Sequence, residues 1–497
     1  MREKRLKYTT ITSLIFQVVA VICGFILPRL ILDSYGSSVN GLINSITQFL
    51  GIINFMELGV GAVVQSSLYE PLASNDTNKI NIILKSGSNF YKKIALLLIA
   101  YTSVLLIVFP MLVNDSFDPL FTIMLILSMF ISSLAQYYFG IVDRLLLSAD
   151  QRGYIQYTAQ TIAIFVNTVA CAILIRLGVG IVGVKLCTSI IFLAQPFFIR
   201  LYINKHYSID RKVEISGEPI AQKWNGLAQH IAAVVLDSTD TIILTFLSTL
   251  ENVSIYSVYH LVIYGVKNLF TVMTNGIQSY WGDMWAKKEN EQLDKSFNYY
   301  EWLIHTGVVL IFGCTGVLLI PFVKVYTLGI EDINYIVPLF AIIITMAHGC
   351  HCIRLPYHIL IKSVGHYKQT QNNYIIAVVL NIVISIVTVK LWGLIGVAIG
   401  TLVAMLYQTL WMAWYTAKSV VRRTHTAFCK IIMVDIISIA IGIFLSRYFD
   451  MTNISYLEWV VLAVKVFFCW LVSILVTNII FYRENLIKTV KNIFKRI

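Results

Sequence analysis

The chain has 497 residues, 58% of them hydrophobic and 13% charged, with a mean hydropathy of +0.76. A soluble domain carries about 25% charged residues, so the composition excludes an ordinary water-soluble protein. The net charge of +12 is compatible with nucleic-acid binding, but the charges fall in breaks between apolar runs, not on one basic face, and that argues for no nucleic-acid partner.

Apolar runs of about 18–25 residues fill nearly the whole chain, and each is long enough to cross a bilayer. A transmembrane barrel would alternate in segments of about 10 residues, and no such alternation occurs. The expected fold is therefore an all-α polytopic membrane protein of about 14 transmembrane helices. Spans are read at 9–31, 40–64, 93–114, 119–140, 154–176, 178–200, 226–249, 253–275, 301–323, 334–353, 372–391, 393–416, 428–448 and 457–482. The opening "MREKRLK" precedes a run that continues to Ile31 without a small-x-small cleavage site, so it reads as a retained first helix, not a signal peptide. The eight cysteines lie in or near spans and read as small buried apolar residues.

The cations set the topology. Of 38 Lys and Arg, 30 fall on the N-terminal side of the membrane, 5 on the other side and 3 within spans. The positive-inside rule then places both termini of this multi-pass protein in the cytoplasm. The tail "ENLIKTVKNIFKRI" is basic and amphipathic and is expected on the inner leaflet.

An internal repeat follows. Gln65, Ser66, Glu70, Ala73 and Asp76 match Gln278, Ser279, Asp283, Ala286 and Glu289, every pair 213 apart. Asn167 and Arg176 match Asn381 and Lys390, 214 apart; Gly180 and Gly183 match Gly393 and Gly396, 213 apart. The repeat unit is six spans, an even number, so the halves are parallel repeats with two C-terminal helices added. The expected organisation is a first half at 1–204, a linker at 205–225, a second half at 226–418 and the extra helices with the tail at 419–497.

Polar residues recur on helical faces. Span 2 carries Asn40, Asn44, Thr47, Gln48, Asn54 and Glu57; span 1 carries Ser13, Gln17, Gly24 and Pro28. Span 7 carries Gly226, His230, Asp237, Asp240 and Thr241; span 8 carries Ser257, His260, Tyr264, Lys267 and Thr271. Spans 1 and 2 are the repeat equivalents of 7 and 8, so a polar cavity between the halves is expected. Ser, Thr and Asn also serve simply as bonds between helices. Ionised groups are more telling, because a charge at mid-membrane costs at least about 2.5–3.5 kcal/mol. By residue count Asp237, Asp240 and Lys267 lie near the midplane, Glu57 toward the cytoplasm and Arg29 toward the outside. The two Asp side chains are expected to face the cavity; an Asp–Lys267 pair joining two helices is the structural alternative.

Other motifs carry less. "HGCHC" (His348 to Cys352) gathers metal-ligand types, but neighbours on a helix point in different directions, so no metal is expected. His305, His358 and His366 read as interfacial. There is no P-loop and no G-x-S-x-G, so a transporter is expected and not an enzyme.

The stretches "LPRLILDSYGSSVNGL", "ELGVGAVVQSSLYEPLA", "LDSTDTIIL" with "VSIYSVYHLV", and "RLPYHILIKSVGHYKQTQNNYIIAVVLNIV" resemble the MOP superfamily, and within it the Wzx-type lipid-linked oligosaccharide flippases. The resemblance covers about the first 420 residues. It implies movement of an undecaprenyl-diphosphate-linked oligosaccharide from the cytoplasmic to the outer leaflet by alternating access, for surface polysaccharide biosynthesis. It also implies contact with membrane lipid, and a polysaccharide polymerase and glycosyltransferases as partners. No cofactor is implied beyond a coupling H+ or Na+. On that reading Arg29 and Lys267 meet the diphosphate, and Glu57, Asn44, Gln48 and Tyr264 make sugar or gating contacts. Coupling or switching falls to Asp237, Asp240, Asn381 and Thr401. In related lipid flippases a span-7 Asp joins Asn, Asp and Thr of spans 11 and 12 in a sodium site; span 11 has no carboxylate here, which leaves Na+ and H+ both open. The rivals are a multidrug exporter of the same superfamily, a peptidoglycan-precursor flippase and a membrane polymerase. The strong repeat and the lack of a large external loop speak against the polymerase.

The topology has a direct check. Single cysteines at Ser208 and Thr424 are expected to react only with thiol reagents applied from the cytoplasm, and one at Asn114 only from outside. External labelling at Ser208 overturns the span assignment of the first half.

Overall fold

The structure is a computed structural model that describes residues 2–52, 55–113, 115–211, 213, 227–274, 277–421, 423–424 and 426–494. Gly226 and Asn114 lie outside them, as do the side chains of His230, Glu57 and Asp237. Of the described residues 87% are helical, and none forms a strand. Contacts divide the chain into two units, Met1–Ser238 and Thr239–Ile497.

The first unit contains α1 (Arg2–Gly51), α2 (Phe55–Ser67), α3 (Tyr69–Ser74), α4 (Thr77–Leu112), α5 (Pro119–Ala135), a π-helical turn (Gln136–Gly140), α6 (Ile141–Ala149), α7 (Gly153–Arg176) and α8 (Ile181–His206). The boundary falls within α9 (Leu227–Leu247). The second unit continues with α10 (Leu250–Met273), α11 (Ile277–Ala286), α12 (Asn290–Tyr326), α13 (Pro338–Ile353), α14 (Leu355–Ser363), α15 (Tyr367–Trp392), α16 (Leu394–Ser419), α17 (Thr426–Ser446), α18 (Tyr456–Phe481) and α19 (Arg483–Phe494).

Eleven helices among the described residues are long and apolar enough to cross a membrane, against the fourteen spans read from sequence. The difference of three has three sources. The first two spans run together in α1, where Gly36, at φ 81°, separates two helical stretches; only glycine takes that conformation without a Cβ clash. Of the seventh span only Ser238–Leu247 enters the count, a stretch shorter than a full crossing. The polar row on α10, including His260 and Lys267, keeps that helix out of the apolar set.

The repeat is visible in the elements. α4 and α12 begin at Thr77 and Asn290, 213 apart, and α8 and α16 begin and end 213 apart. Within the first unit α1 packs on α7, and α8 packs on α5 and α7. One end is tied together around Asp150. Arg5 Nη1 reaches its Oδ1 at 3.2 Å, Arg152 Nε its Oδ2 at 2.8 Å, and Tyr207 donates to Oδ2 at 2.5 Å. Burial, then Asp150, pushes the Tyr207 hydroxyl pKa up.

Within the second unit α17 and α18 pack on α12. Trp470 of α18 lies over Gly313 and Gly442, where a Cβ would come within 2.0 Å and 2.7 Å of its ring. Trp302 Nε1 donates to Asn478 Oδ1 at 2.6 Å. The tail helix α19 rests on α12 through Thr489 and Tyr299, 2.8 Å apart.

The tightest approach, α15 against α16, positions the site. A Cβ on Gly396 would lie 2.3 Å from the Thr388 carbonyl oxygen; one on Gly400 would lie 2.1 Å from Ser385 Oγ and 2.9 Å from its backbone nitrogen. Small residues let membrane helices come this close. Gly400→Ala is expected to cost about 1–3 kcal/mol through overpacking, read as a lower melting temperature of the detergent-purified protein. Gly180→Ala is the control, since nothing lies within 4 Å of that position; equal melting of both variants would mean the contact does not hold α15 to α16.

Candidate functional site

Asp240 lies on α9 and is only 2% exposed. A carboxylate removed from water needs hydrogen-bond donors in its place. Three other helices provide them. Thr401 Oγ of α16 lies 2.8 Å from Asp240 Oδ1 and 2.7 Å from Oδ2, so its single proton serves either oxygen. Tyr256 of α10 donates to Oδ2 at 3.1 Å. Asn381 of α15 turns Nδ2 toward Asp240 Oδ1 at 3.4 Å and toward Thr401 Oγ at 3.1 Å. Asn381 and Thr401 are as buried as Asp240. The structure thus brings together Asp240, Asn381 and Thr401 and encloses Asp240 among helices, where the sequence suggested a cavity-facing side chain.

The oxygens are the chemistry of this cluster. Carboxylate, hydroxyl and amide oxygens suit a small hard cation or a proton. Asn381 Oδ1 is buried with no hydrogen-bond partner among the described residues, so one further acceptor is available beside the carboxylate.

From Asp240 a row of rings continues along one face of α10. Tyr256 stacks on His260 with centroids 5.4 Å apart, and His260 stacks on Tyr264 at the same distance. Lys267 Nζ, buried, lies 5.6 Å from the Tyr264 ring centre. The i, i+4 spacing produces this row. His348 of α13 meets His260 edge-on at 5.9 Å. Of the "HGCHC" run, His348 is thus drawn into the polar row as a ring contact.

The residues expected in the first unit are described in part. Arg29 Nη2 lies 4.0 Å from Asp33 Oδ1, one turn further along α1. Asp33 was not foreseen, and it lies close enough to share the guanidinium charge with any anionic ligand. Asn44 is half-buried and donates to the Asn40 carbonyl at 2.8 Å, a bond within its own helix. Gln48 is half-buried. The side chains of Glu57 and Asp237 lie outside the described residues.

A second buried network escaped the sequence reading. Arg423 grips Glu301 through both terminal nitrogens, Nη1 to Oε2 at 2.6 Å and Nη2 to Oε1, and Nη1 also donates to Asn298 Oδ1 at 2.6 Å. Tyr357 donates to Glu301 Oε1 at 2.6 Å. His305, expected at the interface, is fully buried instead, with Nδ1 2.6 Å from Asp435 Oδ2 and Nε2 3.2 Å from the Tyr357 hydroxyl. The signal available was Asp435, a lone carboxylate in an apolar span. The bidentate fork suits a buried pair joining α12 to the α16–α17 connection.

Comparison with known proteins adds the fold. No protein-family model matches the chain, and no curated protein matches it either. Solved structures do match. The lipid II flippase MurJ in an inward closed conformation superposes with a TM-score of 0.69 at 16% identity, covering 96% of this chain and 99% of its own. An inward-facing multidrug resistance MATE family transporter of the MOP superfamily gives 0.64 at 14% identity, covering 80% of this chain and 95% of its own. The Vibrio cholerae MATE transporter VcmN in the bent form gives 0.55 at 14% identity, covering 86% of this chain and 99% of its own. The chain has the fold of these transporters.

Thr401 and Asp240 form the testable pair. Thr401→Val removes a donor from a buried carboxylate and is expected to cost about 1–3 kcal/mol, read by thermal unfolding in detergent. In the background of Asp240→Asn, which removes the charge, the same change is expected to cost measurably less. Additive losses would mean that the two side chains do not interact.

Proposed function

We propose that the protein is a flippase for an undecaprenyl-diphosphate-linked oligosaccharide, moving it from the cytoplasmic to the outer leaflet by alternating access of two six-helix halves. The observation that carries this reading is the end-to-end match to a lipid flippase. It leaves 4% of the 497 residues outside, fewer than α18 alone contains, whereas the MATE matches leave 14–20% outside. Coverage of that extent supports counterparts for the extra helices in a flippase fold. The sequence resemblance to Wzx-type proteins selects an oligosaccharide over lipid II.

The residues support the same reading. Lys267 is a buried cation on a membrane helix, a place where ionisable groups usually meet a substrate or partner. Arg29 offers planar donors suited to phosphate oxygens. Asp240, with Thr401 and Asn381, is proposed as the coupling site for H+ or Na+. Such a site lets an ion gradient bias the exchange between inward-open and outward-open forms. Both termini are proposed to be cytoplasmic in a bacterial inner membrane, with glycosyltransferases supplying the substrate and a polymerase consuming it.

Binding and movement can be separated in one set of variants. Arg29→Ala and Lys267→Ala are each expected to weaken binding of a lipid-diphosphate sugar to the purified protein by about tenfold or more, the loss of one charge-assisted contact. Arg29→Lys is expected to recover only part of that. Asp240→Asn is expected to bind as wild type but fail to flip the lipid in proteoliposomes at normal protein level. Unchanged affinity in both Ala variants removes the diphosphate from these residues, and normal flipping by Asp240→Asn removes Asp240 from coupling.

A further inference from the structure

The first unit holds a cleft of about 220 Å3 between α4, the π-helical turn, α8 and the chain just beyond α8. Its polar wall is unusually basic for a membrane helix bundle. Lys85 and Lys92 of α4, Arg200 of α8 and Arg211 line it together with Asp210. Asp143 of α6, 1% exposed at its side chain, sits behind them. It takes Arg200 Nε on Oδ2 and Arg211 Nη2 on Oδ1, both at 3.0 Å. Lys85 Nζ donates to the Arg211 carbonyl at 2.8 Å, which keeps that stretch of chain against α4. Among the described residues four cations thus face two carboxylates, Asp143 and Asp210, a surplus of positive charge.

The repeat supplies the comparison. At the equivalent place in the second unit, 213 residues on, Lys85, Ser88 and Lys92 correspond to Asn298, Glu301 and His305. There Glu301 accepts Arg423 and the site closes on itself. In the first unit that position is Ser88, which lines the cleft. The first unit carries Lys85 and Lys92 on this helix where the second carries Asn298 and His305, and its arginines are met by Asp143 of α6 instead of a carboxylate of α4. The two added lysines supply the charge that an anion from outside the chain would meet in this cleft.

The surroundings say which anion. Tyr138 and Phe139 form one wall, with Lys92 over the Tyr138 ring at 5.4 Å and Arg200 over Phe139 at 5.6 Å. Exposed Phe197, Phe198 and Leu201 of α8 continue the apolar surface beside them. Aromatic rings with Lys and Arg at one level of a helix bundle mark the membrane interface. The end concerned is the N-terminal one, since Arg5 and Tyr207 meet there at Asp150.

We infer that this cleft is a binding site for a phosphate group, held by Lys85, Lys92, Ser88 and the Arg200–Arg211 pair. Its chemistry fits the phosphodiester head group of an anionic lipid, whose acyl chains would lie along Phe197, Phe198 and Leu201. It also fits soluble phosphate. Arg200 and Arg211 stay bonded to Asp143 and present their remaining N–H groups; the two lysines supply the mobile charge.

The test uses the full-length protein. Retention of phosphatidylglycerol against phosphatidylcholine is measured by native mass spectrometry of detergent-purified wild type, Lys85→Gln/Lys92→Gln and Ser88→Glu. The Ser88 variant installs the carboxylate of the second unit and leaves the Lys85 contact in place, so a folding defect in the lysine variant does not blunt the test. Preference for phosphatidylglycerol is expected to fall about fivefold per lysine removed and to vanish in Ser88→Glu, with melting temperatures of Ser88→Glu near wild type. Competition by millimolar inorganic phosphate or pyrophosphate, with direct binding in its own right, would assign the site to a soluble phosphate; no competition with retained lipid preference assigns it to the head group. Equal binding of both lipids by wild type with no phosphate binding, or unchanged preference in Ser88→Glu, overturns the proposal.

Discussion

A carboxylate in a low-dielectric interior has to be met by donors, and the arrangement of the second unit follows from meeting that demand at Asp240. Its donors come from three different helices, α10, α15 and α16. They reach one point only if α15 and α16 touch closely enough for Thr401 and Asn381 to share it. Gly396 and Gly400 make that contact possible, and Thr401 is the next residue after Gly400. The absence of two Cβ atoms is therefore as much a part of the site as the hydroxyl. A stripe of small residues that reads as generic helix packing has a definite chemical consequence one residue further along.

The duplicated scaffold provides an internal control. In the first unit Asn167 and Thr188 stand at the repeat positions of Asn381 and Thr401, on α7 and α8. Both lie beside Cys171, whose Sγ is 3.4 Å from Asn167 Oδ1 and 3.3 Å from Thr188 Oγ. A weakly polar thiol takes the space there, and no carboxylate is needed to explain the Asn and Thr. The pair thus belongs to the common frame, and Asp240 is the second unit's addition. The opposite happens at the N-terminal end of α4 and α12, where the second unit pairs Glu301 with Arg423 and the first leaves an open basic cleft. One ancestral frame, used twice, has spent its polar positions in different ways.

Much of the fold was legible because membrane helices obey a strict rule: every apolar run must satisfy its backbone internally, and helices do so locally. The repeat was legible from five matched residues at one offset, and the helix boundaries keep the same 213 spacing. The span count is less direct, with eleven helices among the described residues long and apolar enough to cross a membrane. A glycine at positive φ inside α1, which joins two spans in one helix, and the polar face of α10 are local departures from the regular apolar helix that hydropathy assumes. The polar departure coincides with a face the sequence marked as wet, so the same residues that signal a path also blur the span count.

The site divides along a different line. Asp240, Asn381 and Thr401 lie 141 and 161 residues apart along the chain; periodicity links residues three or four apart and says nothing about such pairs. Resemblance put them together, and composition alone would not have. Glu301 and Arg423 had no such help. Arg423 lies in a loop between spans, where a cation is expected on charge-topology grounds alone, and Glu301 lies at the mouth of a span, where a carboxylate needs no partner to be tolerated. Asp435 is different. The energetic argument that singled out Asp240 applies equally to a lone Asp in the apolar run "IIMVDIISIAIGIF". Applied evenly to every span, it would have asked what answers Asp435, and the first candidates are the few polar side chains on neighbouring spans, His305 among them. The cost of a buried charge thus identifies one member of each network from sequence; its partners become visible only when the helices are packed.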